Sequence, residues 1–166
     1  MNKFFKVSKE QFVKDHESPN AYAQWCDLKL PRRATKFSSG YDFYAPFDFE
    51  LKPHMSIKIP TGIKVELDED KFLMLIPRSG LGFKYKMQLW NSVGDVDSDY
   101  IMSDNEGHIF AKICNDNDEK TMVVKQGEAF MQGIILNYNK TDDDDATDVR
   151  NGGFGSTTEK TKGEIT

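Results

Sequence analysis

Beyond about residue 56 the chain is a succession of short apolar segments divided by turn signals. IKIP, IKVEL and FLMLI are rich in β-branched or aromatic residues and are separated by Pro60-Thr61-Gly62 and Asp68-Glu69-Asp70. HIFAKI, TMVV and AFMQGIILNY continue the series. No helical periodicity intervenes, so the pattern predicts an all-β sandwich or barrel. Ser8 followed by Gln11 has the form of a capping box and predicts one short helix from about Lys9 to His16. With 166 residues and no internal repeat, the chain fits one domain with a core of its own. Near the C-terminus TDDDDATD breaks the pattern, because carboxylates crowded at that density stay in water. The expected organisation is a single β domain over residues 1–140, an acidic linker over 141–149, and a glycine-rich arm with a polar tail over 150–166.

Composition excludes several roles. The net charge of −5 is unsuited to a duplex DNA binder, which needs a basic face to displace counterions, so no direct nucleic-acid contact is expected. A nucleotide substrate remains open, since a few local cations and backbone N–H groups can hold a triphosphate on an acidic protein. The mean hydropathy of −0.62 and the charged opening MNKFFKVSKEQF carry neither a membrane span nor a signal sequence, and a cytoplasmic protein is expected. Cys26 and Cys114 are far apart and lack the spacing of a metal or redox motif; they read as two reduced thiols, with Cys114 buried in a strand.

Four segments carry side chains that chemistry uses. Pro77-Arg78-Ser79-Gly80-Leu81-Gly82 follows an apolar strand directly; a glycine-rich turn there would expose N–H groups and a hydroxyl beside a fixed cation, a nest for phosphate oxygens. An ordinary strand-turn has the same composition. Asn91 to Tyr100, NSVGDVDSDY, alternates Asp95, Asp97 and Asp99, which period two would align on one face of a strand. Such a row fits metal binding, general-base catalysis, or a hairpin whose backbone meets a flat base, and it also fits a solvated turn. Arg150-Asn151-Gly152-Gly153-Phe154-Gly155-Ser156-Thr157 joins glycines that let backbone approach a ligand to hydroxyls, a cation and a stacking face. Gly40-Tyr41-Asp42-Phe43-Tyr44, after a basic stretch, is by itself a strand start.

In this order, from Pro31 to Thr157, the segments resemble the motif series of the homotrimeric dUTP diphosphatases. GYDF is similar to the first motif, PRSGLG to the second, NSVGDVDSDY to the third, GEAFMQG to the fourth and RNGGFGST to the fifth. SDYIMSDNEGHI further resembles a subgroup from Gram-positive bacteria and their phages. The resemblance implies a distorted jelly-roll or β-clip barrel, assembled as a homotrimer with active sites at subunit interfaces and a flexible C-terminal arm that closes a neighbour's site. It implies cleavage of dUTP to dUMP and pyrophosphate, with Asp97 activating the water that attacks the α-phosphorus. Tyr100 would pack under the deoxyribose, and Asn91 with the backbone of Gly94 and Val96 would read uracil. Arg78, Ser79, Gly80 and Gln132 map to phosphate contacts. Arg150, Gly155, Ser156 and Thr157 map to the γ-phosphate end, and Phe154 would lie over the base. Mg²⁺ would be held mainly by the triphosphate, with Asp42 reaching it through water.

Two departures accompany the resemblance. The fourth motif of the family usually carries an arginine where this chain has Ala129; Lys84 and Lys86 are nearby cations that could replace it, though they read more simply as solvated surface lysines. The stretch Ile101 to Glu106 is longer than in short-hairpin relatives and is expected to extend the hairpin. Two other functions compete. A dCTP deaminase of similar fold would need a glutamate as proton shuttle in the base pocket, and Glu106 is the near candidate. A phage regulatory protein would bind a repressor, with the Ile101–Glu106 stretch as a surface for it.

Overall fold

The computed structural model describes residues 1–148. The first strand, β1 (Lys3–Lys6), leads to helices α1 (Lys9–Asp15) and α2 (Ala21–Asp27). Strands β2 (Arg32–Arg33), β3 (Tyr41–Tyr44), β4 (Phe49–Leu51), β5 (Ser56–Pro60), β6 (Ile63–Glu66) and β7 (Lys71–Pro77) follow. Helix α3 (Ser79–Tyr85), β8 (Met87–Leu89), β9 (Gly94–Asp97) and a 3-10 turn (Ser98–Met102) come next. The series closes with β10 (Phe110–Asn115), β11 (Met122–Val124) and β12 (Ala129–Asn137).

All recorded strand pairs are antiparallel. The largest sheet has the order β2-β3-β12-β7-β9; β5-β10-β8, β1-β6 and β11-β4 complete the barrel-like body. Strand formation follows the period-two pattern read from sequence. In β7, Leu73 and Leu75 are buried while Met74 between them is half-exposed, and in β6 Ile63 and Val65 point inward between Lys64 and Glu66. Phe43, Ile59, Ile113, Phe130 and Met131 join them in one core. The buried Asn115 is fully accommodated: its Nδ2 donates to the carbonyls of Leu51 (2.8 Å) and Lys120 (2.7 Å).

The N-terminal helix forms where the cap predicts, with Ser8 Oγ accepting from the Gln11 N–H at 3.1 Å. The other half of the capping box is not made locally. Gln11 turns to Asp15, and the Ser8 N–H donates instead to Glu106, 98 residues away. A second helix, α2, lies outside the sequence expectation; Asn20 at its start makes no side-chain cap. Together α1 and α2 close a small second core of Val7, Phe12, Ala21 and Leu28, with Trp25 against it. Cys114 lies in β10 but is only half-buried, since its side chain alternates away from those of Ile113 and Asn115. Residues 141–148 are exposed and carry neither helix nor strand.

Candidate active site

Strand β7 organises both groups of candidate residues, one at each end. At its C-terminal end the chain passes from Pro77 through Arg78 into α3. The register puts Gln132 of β12 between Asp42 of β3 and Ile76 of β7, so Asp42 and Gln132 share a face beside Arg78. Gln132 Nε2 donates to Asp42 Oδ1 at 3.1 Å, and Arg78 Nε lies 3.6 Å from the same oxygen. Asp42 is only 5% exposed, whereas the Arg78 side chain remains 44% exposed and carries four N–H donors besides the one on Nε. Asp42 and Arg78 line a cavity of about 490 Å³ together with Gly80, Leu81, Glu128 and Ala129.

The segment after Arg78 is a helix, not the glycine-rich turn expected from PRSGLG. Leu81 packs on the core and Tyr85 is buried, and that apolar spacing outweighs the low helix propensity of Gly80 and Gly82. Ser79 and Gly80 therefore open a helix, where N–H groups lack intrahelical acceptors. A side-chain carbon added at Gly80 would meet nothing within 4 Å, so the fold places no steric demand for glycine there. Ala129 faces the cavity that Arg78 lines. Lys84 and Lys86, the candidate replacements for the missing cation, are directed elsewhere: Lys84 lies over the Tyr85 ring and Lys86 is 3.5 Å from Asp118.

The other group sits near the N-terminal end of β7. Strand β9 pairs there with the register Phe72↔Asp97 and Leu75↔Gly94. A side-chain carbon at Gly94 would approach Leu75 Cβ to 2.9 Å, so glycine allows the two strands to meet closely. A cavity of about 320 Å³ opens against β9, lined by Asn91, Val93, Val96, Asp97, Tyr100 and Phe110 among others. β9 is the last strand of its sheet, and an edge strand offers backbone N–H and C=O groups on its outer side. The cavity thus combines a backbone edge, an amide, an aromatic face and a half-buried carboxylate, a set suited to a flat polar base with a sugar.

Two expectations for this region need correction. Asp99 does not align with Asp95 and Asp97, because the strand ends at Asp97 and the chain tightens into the 3-10 turn that contains Asp99. Nor does Ile101–Glu106 extend a hairpin. β8 and β9 pair with different strands, and residues 101–106 form turns that dock on α1 and β6. Ser8 donates to Glu106 through its N–H (2.9 Å) and its hydroxyl (2.5 Å), and Lys64 Nζ donates at 3.0 Å. Burial works to raise the Glu106 pKa, but these donors outweigh it and bring it down to about 2.

Beside this turn His108 is wholly buried. The Gly62 N–H donates to its Nε2 at 2.8 Å, which makes Nδ1 the protonated nitrogen facing Asp15 Oδ2 at 2.6 Å. Burial depresses the His108 pKa against the opposing pull of Asp15. Neither Glu106 nor His108 lines the base cavity. Sequence reasoning missed His108, Asn105 and Asp15 as a group, because their partners lie across the chain and no local spacing announces them. Arg150, Phe154, Gly155, Ser156 and Thr157 lie outside the described residues. Among the described residues no group of three or more His, Cys, Asp or Glu side chains could hold a metal ion, and no helix is long and apolar enough to cross a membrane.

A β-rich fold with an arginine beside two carboxylates in a cavity at one end of β7, and a cavity with a backbone edge and an aromatic face at the other, fits a nucleotide-handling class. The dUTPase family model matches residues 27–158, and the chain belongs to the dUTPase family. Among curated relatives, the deoxyuridine 5'-triphosphate nucleotidohydrolase of Lactococcus lactis is 37% identical over 133 residues, 78% of this chain and 88% of that protein. Its counterpart in Shigella sonnei is 36% identical over 137 residues, covering 78% and 87%. The crystal structure of the Streptococcus mutans dUTPase superposes with a TM-score of 0.65 at 31% identity, covering 84% of this chain and 98% of that one. A dUTPase from phage phi11 of S. aureus, whose structure details the coordination of a structural Mg(II) ion, shares the fold with a TM-score of 0.64 at 17% identity, covering 89% and 97%.

Proposed function

We propose that this dUTPase-family enzyme hydrolyses dUTP to dUMP and pyrophosphate at a site that two or more chains complete. The observation that carries the shared site is the register of β7. Asp97 lies opposite Phe72, and Arg78 follows six residues later in the chain. At ~3.3 Å per residue the two are separated by roughly 20 Å. That placement at opposite ends of β7 supports a site in which the Arg78 and the Asp97 that serve one triphosphate come from different chains. A homotrimer, the assembly known for this fold family, brings the phosphate end of one chain to the base end of another.

In this reading the cavity at β9 takes the nucleoside. Asn91 and the backbone of Gly94 and Val96 read the uracil edge, and cytosine is rejected because its amino group meets a donor. Tyr100 packs under the deoxyribose and leaves no room for a 2′-hydroxyl. Asp97 positions the attacking water and accepts its proton as charge develops on the α-phosphate. Arg78, Ser79, Gly80 and Gln132 of the neighbouring chain hold the phosphates, so catalysis rests on positioning and charge neutralisation. Mg²⁺ suits the donor set: the described residues offer no protein cage, so the ion would ride on the triphosphate oxygens with Asp42 reaching it through water. When bound, it would neutralise charge on the phosphate oxygens.

Beyond the acidic linker, Arg150, Phe154, Gly155, Ser156 and Thr157 would complete the site as an arm. Removing residues 150–166 should lower kcat severely and leave thermal unfolding unchanged; retained turnover would reduce the arm to a tail. The cytoplasm, where deoxynucleotides are made, is the place for this reaction. A deaminase is not supported, because Glu106, the candidate proton shuttle, is engaged by Ser8 and Lys64 and does not line the cavity at β9. The Ile101–Glu106 stretch considered for a repressor is likewise docked on the N-terminal helix, so any such role would be additional. Parallel assays of pyrophosphate and ammonia release from dUTP, dCTP, dTTP and UTP test the assignment: pyrophosphate from dUTP alone is expected, and ammonia from dCTP would overturn it.

A further inference from the structure

The Tyr100 hydroxyl is anchored on the side of the chain that the N-terminal helices cover. It donates to the His108 carbonyl at 3.0 Å and accepts from Asn105 Nδ2 at 3.0 Å, while the same amide donates to the His108 carbonyl at 3.3 Å. Asn105 also accepts the Gly107 N–H through Oδ1 at 3.1 Å. Its two ends thus do separate work: the oxygen shapes the turn, and the nitrogen holds the tyrosine.

The turn itself is costly to form alone. Glu106 and Gly107 are both left-handed, with φ of 60° and 71°, and a glutamate in that region is strained by about 1 kcal/mol. Gly107 seats directly on the tyrosine's backbone. A side-chain carbon there would lie 2.6 Å from Ile101 Cα and 2.9 Å from the Tyr100 carbonyl. What holds this conformation comes from the N-terminus. Ser8 at the start of α1 binds the Glu106 carboxylate, and Asp15 at the end of α1 orients the buried His108 ring, whose far nitrogen is fixed by Gly62. Both ends of one short helix therefore grip the loop that carries the tyrosine's anchors. Most of this helical unit precedes the family match, which begins at residue 27.

We propose that Asn105 and the loop around it are positioning elements for Tyr100, braced by α1, so that the N-terminal extension sets how well the enzyme tells deoxyribose from ribose. The inference rests on the reading that Tyr100 packs under the sugar. A ring held at its hydroxyl presents its face at a fixed tilt; a released ring can swing and admit the 2′-hydroxyl of UTP.

The test compares kcat/KM for dUTP and UTP in Asn105→Asp, Tyr100→Phe, Glu106→Gln and Tyr100→Ala. Asn105→Asp keeps the acceptor for Gly107 and removes the donor to Tyr100, so the turn survives while the hydroxyl keeps only its bond to the His108 carbonyl. The preference for dUTP over UTP should fall about tenfold in Asn105→Asp, the scale of one lost hydrogen bond. Tyr100→Phe, which also loses the hydroxyl's bond to the His108 carbonyl, should lower it at least as far, and adding Asn105→Asp to Tyr100→Phe should lower it no further, because the amide then has no hydroxyl to hold. Glu106→Gln should weaken the preference less, through KM rather than kcat. Unchanged preference in Asn105→Asp and Tyr100→Phe, with Tyr100→Ala still losing it, would overturn the positioning role and leave the sugar reading intact. Unchanged preference in Tyr100→Ala as well would bring down the sugar reading and this inference with it.

Discussion

The two ends of β7 are built for different tasks. The end at Arg78 is a small, preset electrostatic cluster: a buried carboxylate, an amide that donates to it and an arginine left nearly half-exposed. The end at Asp97 is a shaped cavity whose polar groups come largely from an edge strand and whose aromatic wall is fixed from behind. The first can neutralise charge but has little shape with which to choose a base. The second can choose a base and a sugar but brings a carboxylate and no arginine to the phosphates. Under the proposed function, the comparison teaches that selectivity and charge neutralisation are encoded separately in this chain, and that neither end is an active site until the other is brought to it.

The largest expected effect is on selectivity, which belongs to the β9 end alone. Turnover of dCTP should fall on the order of 10⁴-fold below that of dUTP, the scale for a site that leaves a buried donor unpaired. Comparable kcat/KM values for the two would break the division of labour at once. Replacing the carboxylate comes next: Asp97→Asn should lower kcat by roughly 10³-fold with nucleotide affinity little changed, since an amide cannot take the water's proton. A variant with near-normal kcat would remove Asp97 from the chemistry. At the opposite end, Arg78→Ala should cost about 10²-fold in kcat/KM and leave the ratio between dUTP and dCTP untouched. A shift in that ratio would show that the two ends are not independent.

The smallest effect concerns stability in acid, and it separates the N-terminal brace from both ends. His108 has a depressed pKa in the folded chain, so unfolded chains bind its proton first and stability declines as pH falls below about 6.5. Glu106, held down to about 2, adds stability that is fully present above its ordinary value and is lost as pH falls toward 2. Thermal unfolding measured from pH 7 to pH 4 should show Tm falling across that range. His108→Gln should flatten the upper part of the curve and Glu106→Gln the lower part. Parallel curves for all three proteins would contradict the linkage.

Much of the body was legible in the sequence because burial in a half-exposed strand alternates. Leu73 and Leu75, or Ile63 and Val65, announce their face by spacing alone. The motif resemblance likewise led to Asp42, Arg78 and Gln132, which the fold does bring together, and to Asn91, Gly94, Val96, Asp97 and Tyr100, which line one cavity. What escaped was set by tertiary contact. Helix α3 forms over two glycines because Leu81 and Tyr85 have a core to enter. The 3-10 turn takes Asp99 out of the row begun by Asp95 and Asp97. The capping residue Ser8 finds its partner at Glu106 through the folded core, and no window of local sequence contains both.

The central claim is that the two ends of β7 act together across chains, and mixing inactive variants tests it most directly. Asp97→Asn and Arg78→Ala proteins, each nearly inactive, are unfolded together at equal concentration, refolded and assayed for dUTP hydrolysis. If each site takes its base end from one chain and its phosphate end from another, random assembly restores about a quarter of wild-type activity, because one pairing in four is intact at both ends. Activity no greater than the average of the two parent proteins, in mixtures shown to contain mixed oligomers, would mean that each chain works alone and would contradict the account.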